Sequence, residues 1–320
     1  MLKVSVIVRI HNIEDYIRAC VLSLLNQSLS EIEILLIDDG STDQSIAVIS
    51  DLIAENAQLK LIRKKNAGAA EAANSGLEAA SGKYISFVDG DDTVKPDFLK
   101  KLYQRCEQEN LDIVCASYEA LYPDGTSAKR ERNPELINFK GTGQALLKKQ
   151  MELLDYLPMI WCNLYRKSFL DAHELRMNNT LHEDEDFMPR VLLVADRVSL
   201  IESFDYSYRR SRTGSLITTR NNSSIQSMAD ILERFITIYR GLSVEAQESF
   251  AYAILRMLDH YVYYSRLYQK IDRKLLKSSF SIVKEAGILN RYQLRKYKII
   301  SLSPRLYYLI LKVQGNKEGA

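Results

Sequence analysis

Short apolar segments that alternate with amphipathic segments along the first 117 residues constrain the fold of this chain more than any other feature. The apolar segments have the length and β-branched content of buried strands, and the segments between them repeat apolar residues with a helical period. We predict strands at residues 4–8, 32–37, 59–62, 84–88 and 112–117, and helices at residues 14–27, 43–54, 69–80 and 96–109. This βαβα order indicates an α/β fold, with a mainly parallel sheet covered by helices on both faces.

Polar segments follow four of these strands, at residues 9–12, 38–41, 66 and 89–92. In an open parallel sheet the carboxyl ends of the strands meet at the edge where ligands bind, so we expect these segments to converge. Carboxylates this close repel each other and are costly to desolvate. A hard divalent cation, Mg²⁺ or Mn²⁺, that also binds a substrate diphosphate would offset the repulsion. The alternative is a solvated turn with a helix cap at Asp92 or Thr93.

The remainder of the chain is less regular and then helical. We predict a helix at residues 141–154, another at 188–194, short strands at 198–201 and 206–209, and helices from residue 224 onward. Four cysteines without a CxxC pair indicate free thiols in a reducing compartment rather than a zinc site or disulfides. The amino terminus reads as a first strand rather than a signal peptide, and no apolar run reaches the ~18 residues of a spanning helix. We therefore predict a cytoplasmic protein.

Charge is distributed unevenly along the chain, although the formal net charge is only +2. Residues 261–320 contain 13 Lys and Arg but 3 Asp and Glu, interleaved with tyrosine, leucine and isoleucine. A basic, tyrosine-rich amphipathic helix suits an anionic membrane surface, so we predict peripheral association through this tail. The alternative is a helical subdomain whose basic face is solvated. Nucleic-acid binding is not expected, because no nucleic-acid motif is present and the rest of the chain is acidic.

Four sequence stretches, VSVIVRIHN, EILLIDDGSTDQS, KNAGAAEAANSGLEAASGKYISFVDGDD and HEDEDF, resemble the successive motifs of the family-2 glycosyltransferases. The resemblance is continuous over residues 3–120 and resumes in MIWCNLYRKSF and YSYRRSRTGSL. It implies the GT-A fold and transfer of a sugar, with inversion, from a nucleotide-sugar donor. The expected domains are a glycosyltransferase domain at residues 1–220, with a donor half (1–117) and an acceptor half (118–220), and a helical region at 221–320.

The resemblance also implies roles for individual residues. It places the nucleotide base near Ile10, His11 and Asp39, and assigns ribose and the metal-bound diphosphate to Asp89 and Asp91. These two aspartates are the predicted metal ligands, and Asp92 is either a third participant or a helix cap. The full set of predicted donor-binding residues is Ile10, His11, Asp39, Asn66, Asn74, Asp89 and Asp91.

The last acidic motif supplies the predicted catalytic base. Inversion needs a carboxylate within about 2.6 to 3.2 Å of the acceptor hydroxyl. The family pattern assigns this role to Asp184, and Asp186 is the alternative because the acidic run blurs the register. Glu183 and Trp161 are the predicted acceptor-binding residues, although Trp161 is also compatible with an ordinary core position.

The sequence departs from the family pattern at a basic position. The family commonly has an arginine facing the acidic cluster where this chain has Ala73, so we expect a metal ion or a cation from Arg9, Lys64 or Lys65 to compensate. In the basic loop of the last motif, Arg209, Arg210 and Arg212 are candidates for contact with the diphosphate. The predicted function is that of a metal-dependent inverting glycosyltransferase. The expected donor is a nucleotide sugar, with a UDP-sugar as the first choice. The expected acceptor is a glycan or a lipid-linked acceptor in capsule or O-antigen synthesis.

Two alternatives remain open at this point. One is an inactive homologue that acts as a nucleotide- or glycan-binding scaffold, motivated by Ala73 and Arg9. The other is a sugar-phosphate nucleotidyltransferase, which the absence of glycine after the first strand disfavours.

Overall fold

A computed structural model describes residues 2–210, 222–268, 271–304 and 307 of the chain. The chain divides into two compact units, Met1–Thr219 and Arg220–Ala320. The first unit contains all strands of the described residues, and the second unit is helical. The division of the first unit into donor and acceptor halves at residue 117 stays a prediction.

The strands of the first unit form two sheets. In chain order they are β1 Val4–Ile10, β2 Ile32–Asp38, β3 Leu59–Arg63, β4 Tyr84–Asp89, β5 Thr93–Val94, β6 Ile113–Cys115, β7 Glu119–Leu121, β8 Ser127–Lys129, β9 Lys140–Gly141, β10 Asn163–Arg166, β11 Val198–Leu200 and β12 Tyr206–Arg209. The large sheet has the order β3-β2-β1-β4-β10-β6-β11-β9, and the small sheet has the order β5-β12-β7-β8. β1 to β4 are mutually parallel, whereas β10 runs antiparallel to both of its neighbours.

Helices cover the large sheet and bury its central strands. Every residue of β2 and all but one residue of β1 are buried, which explains why most of their residues are apolar. The helices of this unit are α1 Ile17–Leu25, α2 Ser50–Glu55, α3 Ala69–Ala79, α4 Phe98–Glu109, α5 Gly143–Glu152, α6 Lys167–Ala172 and α7 Glu183–Val194. The predicted α/β class, with a mainly parallel sheet flanked by helices, is therefore confirmed.

One predicted helix is wrong over its first half. Residues 43–49 form a turn and a short 3-10 segment, and α2 begins only at Ser50. The cause is Asp43, whose carboxylate accepts hydrogen bonds from the amide of Ser45 (2.9 Å) and the amide of Glu14 (3.0 Å). Such local side-chain pairing competes with helical pairing of the backbone.

The second unit consists of α8 Asn222–Arg240, α9 Val244–Tyr268, α10 Arg273–Glu285 and α11 Arg291–Leu302. Phe235 and Phe250 meet edge to face in its core, with ring centroids 5.1 Å apart. Asn290 and Gln293 form a reciprocal capping box at the start of α11. Among the described residues, no helix is both long enough and apolar enough to cross a bilayer. Ser303 and Pro304 suit the cap and first turn of a last helix, and most of the residues of that predicted helix lie outside the described part of the chain.

All four cysteines are buried and free of disulfides, as the absence of a CxxC pair predicted. They are Cys20, Cys106, Cys115 and Cys162.

Candidate active site

The carboxyl ends of β1, β2 and β4 lie side by side at one edge of the large sheet, as predicted. In the parallel register Ile10 pairs with Asp38 on one side, and Arg9 pairs with Asp89 on the other. The amide of Asp39 donates to the carbonyl oxygen of Ile10 at 2.9 Å. Ile10 is 1% exposed, so its side chain belongs to the core. The edge thus combines polar groups that are distant in sequence.

His11 and Asn66 form the exposed part of this edge. The ring nitrogen Nδ1 of His11 donates to the carbonyl oxygen of Asp39 at 3.0 Å. This leaves Nε2 as an acceptor for the side-chain amide of Asn66, which lies 3.2 Å away. His11 and Asn66, both of which are predicted to contact the donor, are therefore adjacent.

Asp39 holds the loop that precedes α3. Its two carboxylate oxygens accept from the amides of Ala67 (3.0 Å) and Gly68 (2.8 Å), and Lys64 Nζ lies 3.6 Å away. The preceding turn depends on Gly40, which has a φ of +72° and whose missing side chain would meet the amide of Asn66 at 2.8 Å. Lys64 therefore supplies a cation at this carboxylate, in line with the compensation expected for Ala73.

Asp89, Asp91 and Asp92 form an acidic cluster whose nearest oxygens all lie within 4.8 Å of one another. Three carboxylates supply only hard oxygen donors, which suits Mg²⁺ or Mn²⁺. Asp89 and Asp91 are partly exposed, whereas Asp92 is 1% exposed. The donor set and its exposure thus fit the predicted assignment of Asp89 and Asp91 as metal ligands, which stays a prediction.

Asp92 is held inside the protein by the small sheet. The hydroxyl of Tyr206 donates to one carboxylate oxygen at 2.8 Å, and the amide of Arg209 donates to the other at 2.7 Å. Burial, together with the nearby charges of Asp91 and Asp89, raises the pKa of Asp92. Both oxygens of Asp92 are therefore used to fix the acidic turn, a role that differs from the helix cap considered from the sequence.

Arg9 joins the acidic cluster to the start of α7. Its guanidinium donates through Nε to Asp89 Oδ1 at 2.9 Å, and a second nitrogen, Nη2, contacts the same oxygen. A third nitrogen, Nη1, donates to Glu183 Oε1 at 2.8 Å. The Arg9 side chain is 13% exposed, so this bridge is shielded from water. Burial alone would lower the pKa of Arg9, but the two carboxylates more than offset this effect and raise it.

The acidic run at the start of α7 contains two different kinds of aspartate. Asp186 is 0% exposed, and its carboxylate accepts from Asn178 (2.7 Å) and from the Nη2 atom of Arg190 (2.6 Å). Asp184 retains some solvent exposure and accepts from the amide of Glu185 at 2.8 Å. Asp186 is thus part of an internal ion pair, whereas Asp184 remains the better candidate for a base.

The environment of Asp184 favours its protonated form. Removal of the carboxyl group from water, followed by repulsion from Glu183 and Glu185, raises the pKa of Asp184 to about 8. The positive charge of Arg9 acts in the opposite direction. A carboxylate with a pKa this close to neutrality is suited to accept a proton from a hydroxyl.

Two other predicted residues lie in structural positions. The side-chain amide of Asn74 pairs with the main chain of Met177, donating to its carbonyl at 2.8 Å and accepting from its amide at 2.9 Å. Trp161 is 7% exposed and stacks on Tyr206 and Tyr208, with ring centroids 4.6 and 4.9 Å apart. Trp161 is therefore packed in an aromatic cluster rather than presented as an open platform, and the binding roles of both residues stay predictions.

The basic loop after β12 begins next to the acidic turn. Arg209 donates through Nε to the carbonyl oxygen of Asp91 at 3.0 Å, and its guanidinium lies 5.0 Å from the centre of the Tyr16 ring. Arg210 is exposed. The third candidate, Arg212, lies outside the described residues.

Tyr206 is the residue at this site that the sequence did not identify. It contributes the hydrogen bond to Asp92, and its hydroxyl oxygen also accepts from the amide of Asp89 at 3.1 Å. Its position in a predicted strand indicated only a packed aromatic side chain. Because its partners lie more than 110 residues earlier in the chain, no local pattern could reveal the pairing.

Comparison with known proteins was consistent across sequence and structure. The family model described as "Glycosyl transferase family 2" matches residues 5–173. "Uncharacterized glycosyltransferase EpsJ" of Bacillus subtilis is 33% identical over 211 residues, covering 65% of this chain and 61% of that relative. "Cholesterol galactosyltransferase" of Borreliella burgdorferi is 29% identical over 245 residues, covering 72% of this chain and 68% of that relative. The chain thus spans less than two thirds of the length of EpsJ.

The fold is also that of a solved structure. The crystal structure of S. aureus TarS residues 1–349 superposes with a TM-score of 0.74 at 20% sequence identity, covering 100% of this chain and 92% of that chain. The same protein in complex with UDP-GlcNAc gives a TM-score of 0.63 at 17% sequence identity, covering 89% of this chain and 90% of that chain. This similarity confirms the predicted fold class.

Proposed function

The chain belongs to glycosyl transferase family 2, and from this membership we propose that it transfers a sugar from a nucleotide-sugar donor to an acceptor hydroxyl with inversion. One observation carries the proposal: Arg9 connects Asp89 of the acidic turn to Glu183, the neighbour of the predicted base Asp184. This contact brings the predicted diphosphate-binding turn next to the segment that carries the predicted base, which supports a single site for both. Transfer requires that combination.

A uridine nucleotide is the proposed donor nucleotide. TarS, which has the same fold, was crystallised with UDP-GlcNAc and with UDP. In this chain, Ile10, His11 and Asp39 would hold the base, with Asn66 as a further donor contact, and Asp89 and Asp91 would share the ribose and the metal-bound diphosphate. His11 presents an aromatic face at the exposed edge, where a flat base can stack.

Mn²⁺ or Mg²⁺ is the proposed cofactor, with Asp89 and Asp91 as its protein ligands. When bound, such an ion stabilises the negative charge on the departing nucleoside diphosphate. Because the leaving group is already an anion, no second carboxylic acid is needed to protonate it.

Asp184 acts as the base in the proposed reaction. The acceptor oxygen forms a bond with the anomeric carbon while the bond from that carbon to the diphosphate oxygen breaks. The hydroxyl proton passes to the Asp184 carboxylate, and the nucleoside diphosphate leaves with the bonding electrons. Asp186 cannot take this role without breaking its buried pair with Arg190.

Surface-polysaccharide synthesis, of the capsule or O-antigen kind, is the proposed setting, with a glycan or a lipid-linked sugar as acceptor. A lipid-linked acceptor would place the reaction at a membrane. The helices α10 and α11 carry exposed basic residues, which support a peripheral, cytoplasmic-side association with anionic lipid.

An inactive scaffold is the weaker hypothesis. Two departures from the family pattern motivate it, the missing arginine at Ala73 and the presence of Arg9. In the structure, however, Arg9 and Lys64 bring positive charge to Asp89 and Asp39. The site therefore retains cationic groups at both acidic turns.

The test is calorimetric titration with UDP, GDP and dTDP, each with and without Mn²⁺, followed by a hydrolysis screen of the matching nucleotide sugars. Metal-dependent binding of one nucleotide and release of that nucleotide from its sugar would support the proposal. Absence of binding under every condition would defeat it.

A further inference from the structure

The guanidinium of Arg9 contacts carboxylates on two elements that are far apart in the chain. Asp89 ends β4, and Glu183 is the first residue of α7, 174 residues after Arg9. Both carboxylates accept hydrogen bonds from Arg9, and the side-chain exposures of Arg9 and Glu183 are 13% and 14%. A charged bridge shielded in this way is stronger and more directional than a surface ion pair.

The helix α3 packs on the same face of the large sheet as Arg9. α3 crosses between the parallel strands β3 and β4, so it runs antiparallel to β1. A side chain at Gly76 would meet Ile7 Cγ2 at 2.3 Å, so α3 lies directly against the sheet face that Ile7 shares with Arg9. Ala73, one turn earlier in α3 and 0% exposed, is therefore displaced from Gly76 toward the Arg9 end of β1.

The bridge has two consequences that can be separated. It fixes the start of α7, and with it Asp184, relative to the acidic turn. It also places the positive guanidinium of Arg9 beside Asp89, one of the carboxylates available to a divalent cation. The guanidinium and the cation repel each other because both are positive. Arg9 should therefore favour catalysis while it weakens metal binding.

We propose that Arg9 is a positioning residue that holds the base-bearing start of α7 against the diphosphate-binding turn and, through Asp89, sets the affinity of the acidic cluster for divalent metal. This proposal rests on the proposed function for its catalytic half. Its structural half, the coupling of Asp89 to Glu183 through Arg9, does not depend on any substrate.

The first experiment compares Arg9→Gln with the wild-type protein. Turnover at saturating donor and metal should fall by about 10²-fold, because small displacements of a reacting group have effects of that size. Mn²⁺ affinity, measured by calorimetry or by electron paramagnetic resonance without nucleotide, should instead increase by about tenfold. Unchanged turnover, or weaker Mn²⁺ binding, would overturn the proposal.

Two further variants distinguish positioning from general stability. Arg132 is a matched buried arginine, 1% exposed in its side chain and paired with Asp155 at 3.1 Å. Arg132→Gln should lower the melting temperature without raising the Mn²⁺ affinity. Arg9→Lys keeps the charge but cannot span both carboxylates, so its Mn²⁺ affinity should stay near the wild-type value while turnover remains reduced. A raised Mn²⁺ affinity in Arg132→Gln, or full turnover in Arg9→Lys, would contradict the role assigned to Arg9.

A double-mutant cycle tests the coupling of Asp89 to Glu183 without any substrate. It compares the urea unfolding midpoints of the variants in EDTA. Asp89→Asn and Glu183→Gln should be non-additive in the wild-type background and additive in the Arg9→Gln background. If the wild-type protein neither binds nucleotide nor transfers sugar, the proposed function fails, and the cycle still tests the bridge. Additive effects in both backgrounds would eliminate it.

Discussion

Asp184 and Asp186 lie two residues apart in the first turn of α7, yet Asp186 is neutralised by Arg190 at 2.6 Å while Asp184 has a pKa raised to about 8. This difference separates a structural carboxylate from a candidate base within one acidic run. It also makes the assignment testable with a matched pair of substitutions.

Asp184→Asn should abolish transfer and leave UDP binding intact. Loss of a general base typically lowers the rate by about 10² to 10⁴-fold, and the amide preserves the size of the side chain. Steady-state kinetics and calorimetry with UDP and Mn²⁺ provide the measurement. Comparable loss of nucleotide affinity would show that Asp184 serves binding instead.

Asp186→Asn should act on stability rather than on chemistry. It leaves the Arg190 guanidinium without its buried carboxylate, and breaking such a pair costs about 3 kcal/mol. Urea unfolding should show this decrease in the free energy of unfolding. A stable variant with no transfer activity would favour Asp186 as the base.

The transfer rate should rise with pH through neutrality. Only the deprotonated carboxylate of Asp184 can accept the hydroxyl proton, and burial, with repulsion from Glu183 and Glu185, raises its pKa to about 8. Below that value kcat/KM should increase by about tenfold per pH unit, because the active fraction does. An ascending limb centred near pH 4, the ordinary range of an aspartate, would contradict the assignment. Nucleotide affinity at each pH serves as the control.

Asp91→Ala should weaken UDP binding only when metal is present. Loss of one carboxylate from the acidic cluster should lower the UDP affinity in Mn²⁺ by about tenfold or more and leave the affinity in EDTA unchanged. Calorimetry under both conditions is the measurement. An equal loss in EDTA would mean that Asp91 contacts the nucleotide directly.

Tyr206→Phe should destabilise the protein by roughly 1 to 3 kcal/mol, because it removes a hydrogen bond from the buried carboxylate of Asp92. Urea unfolding gives the value. Tyr208→Phe is the matched control, since Tyr208 stacks on the same Trp161 ring, and its effect should stay within about 0.5 kcal/mol. Equal effects of both substitutions would show that the ring packing, and not the hydroxyl, fixes the acidic turn.

Association with anionic vesicles should depend on the exposed basic residues of α11. Reversal of Arg295 and Lys298 to Glu should lower partitioning into vesicles of acidic phospholipid by at least about tenfold, because each basic residue near such a surface contributes about 1 kcal/mol. Reversal of the exposed Lys100 and Lys129 in the first unit is the control of equal charge. Equal loss in both variants would exclude a specific membrane surface on α11.

The alternating strands and helices were predictable because buried parallel strands are predominantly apolar, as in β2. The start of α2 was not predictable, because the hydrogen bond from the Ser45 amide to the Asp43 carboxylate overrides the local helix preference. The gathering of Asp39 and Asp89 at one sheet edge followed from the parallel topology. The Tyr206 hydrogen bond to Asp92 could not be anticipated, since it depends on how two sheets meet in space.

The insertion of β10 between β4 and β6 has a practical consequence for engineering. Its four residues come from the middle of the chain and form ladders with strands of the amino-terminal half on both sides. A cut after residue 117 would leave the edges of β4 and β6 unpaired, and such exposed edges promote aggregation. Chimeras with relatives should therefore exchange the loops around this strand and keep the strand itself.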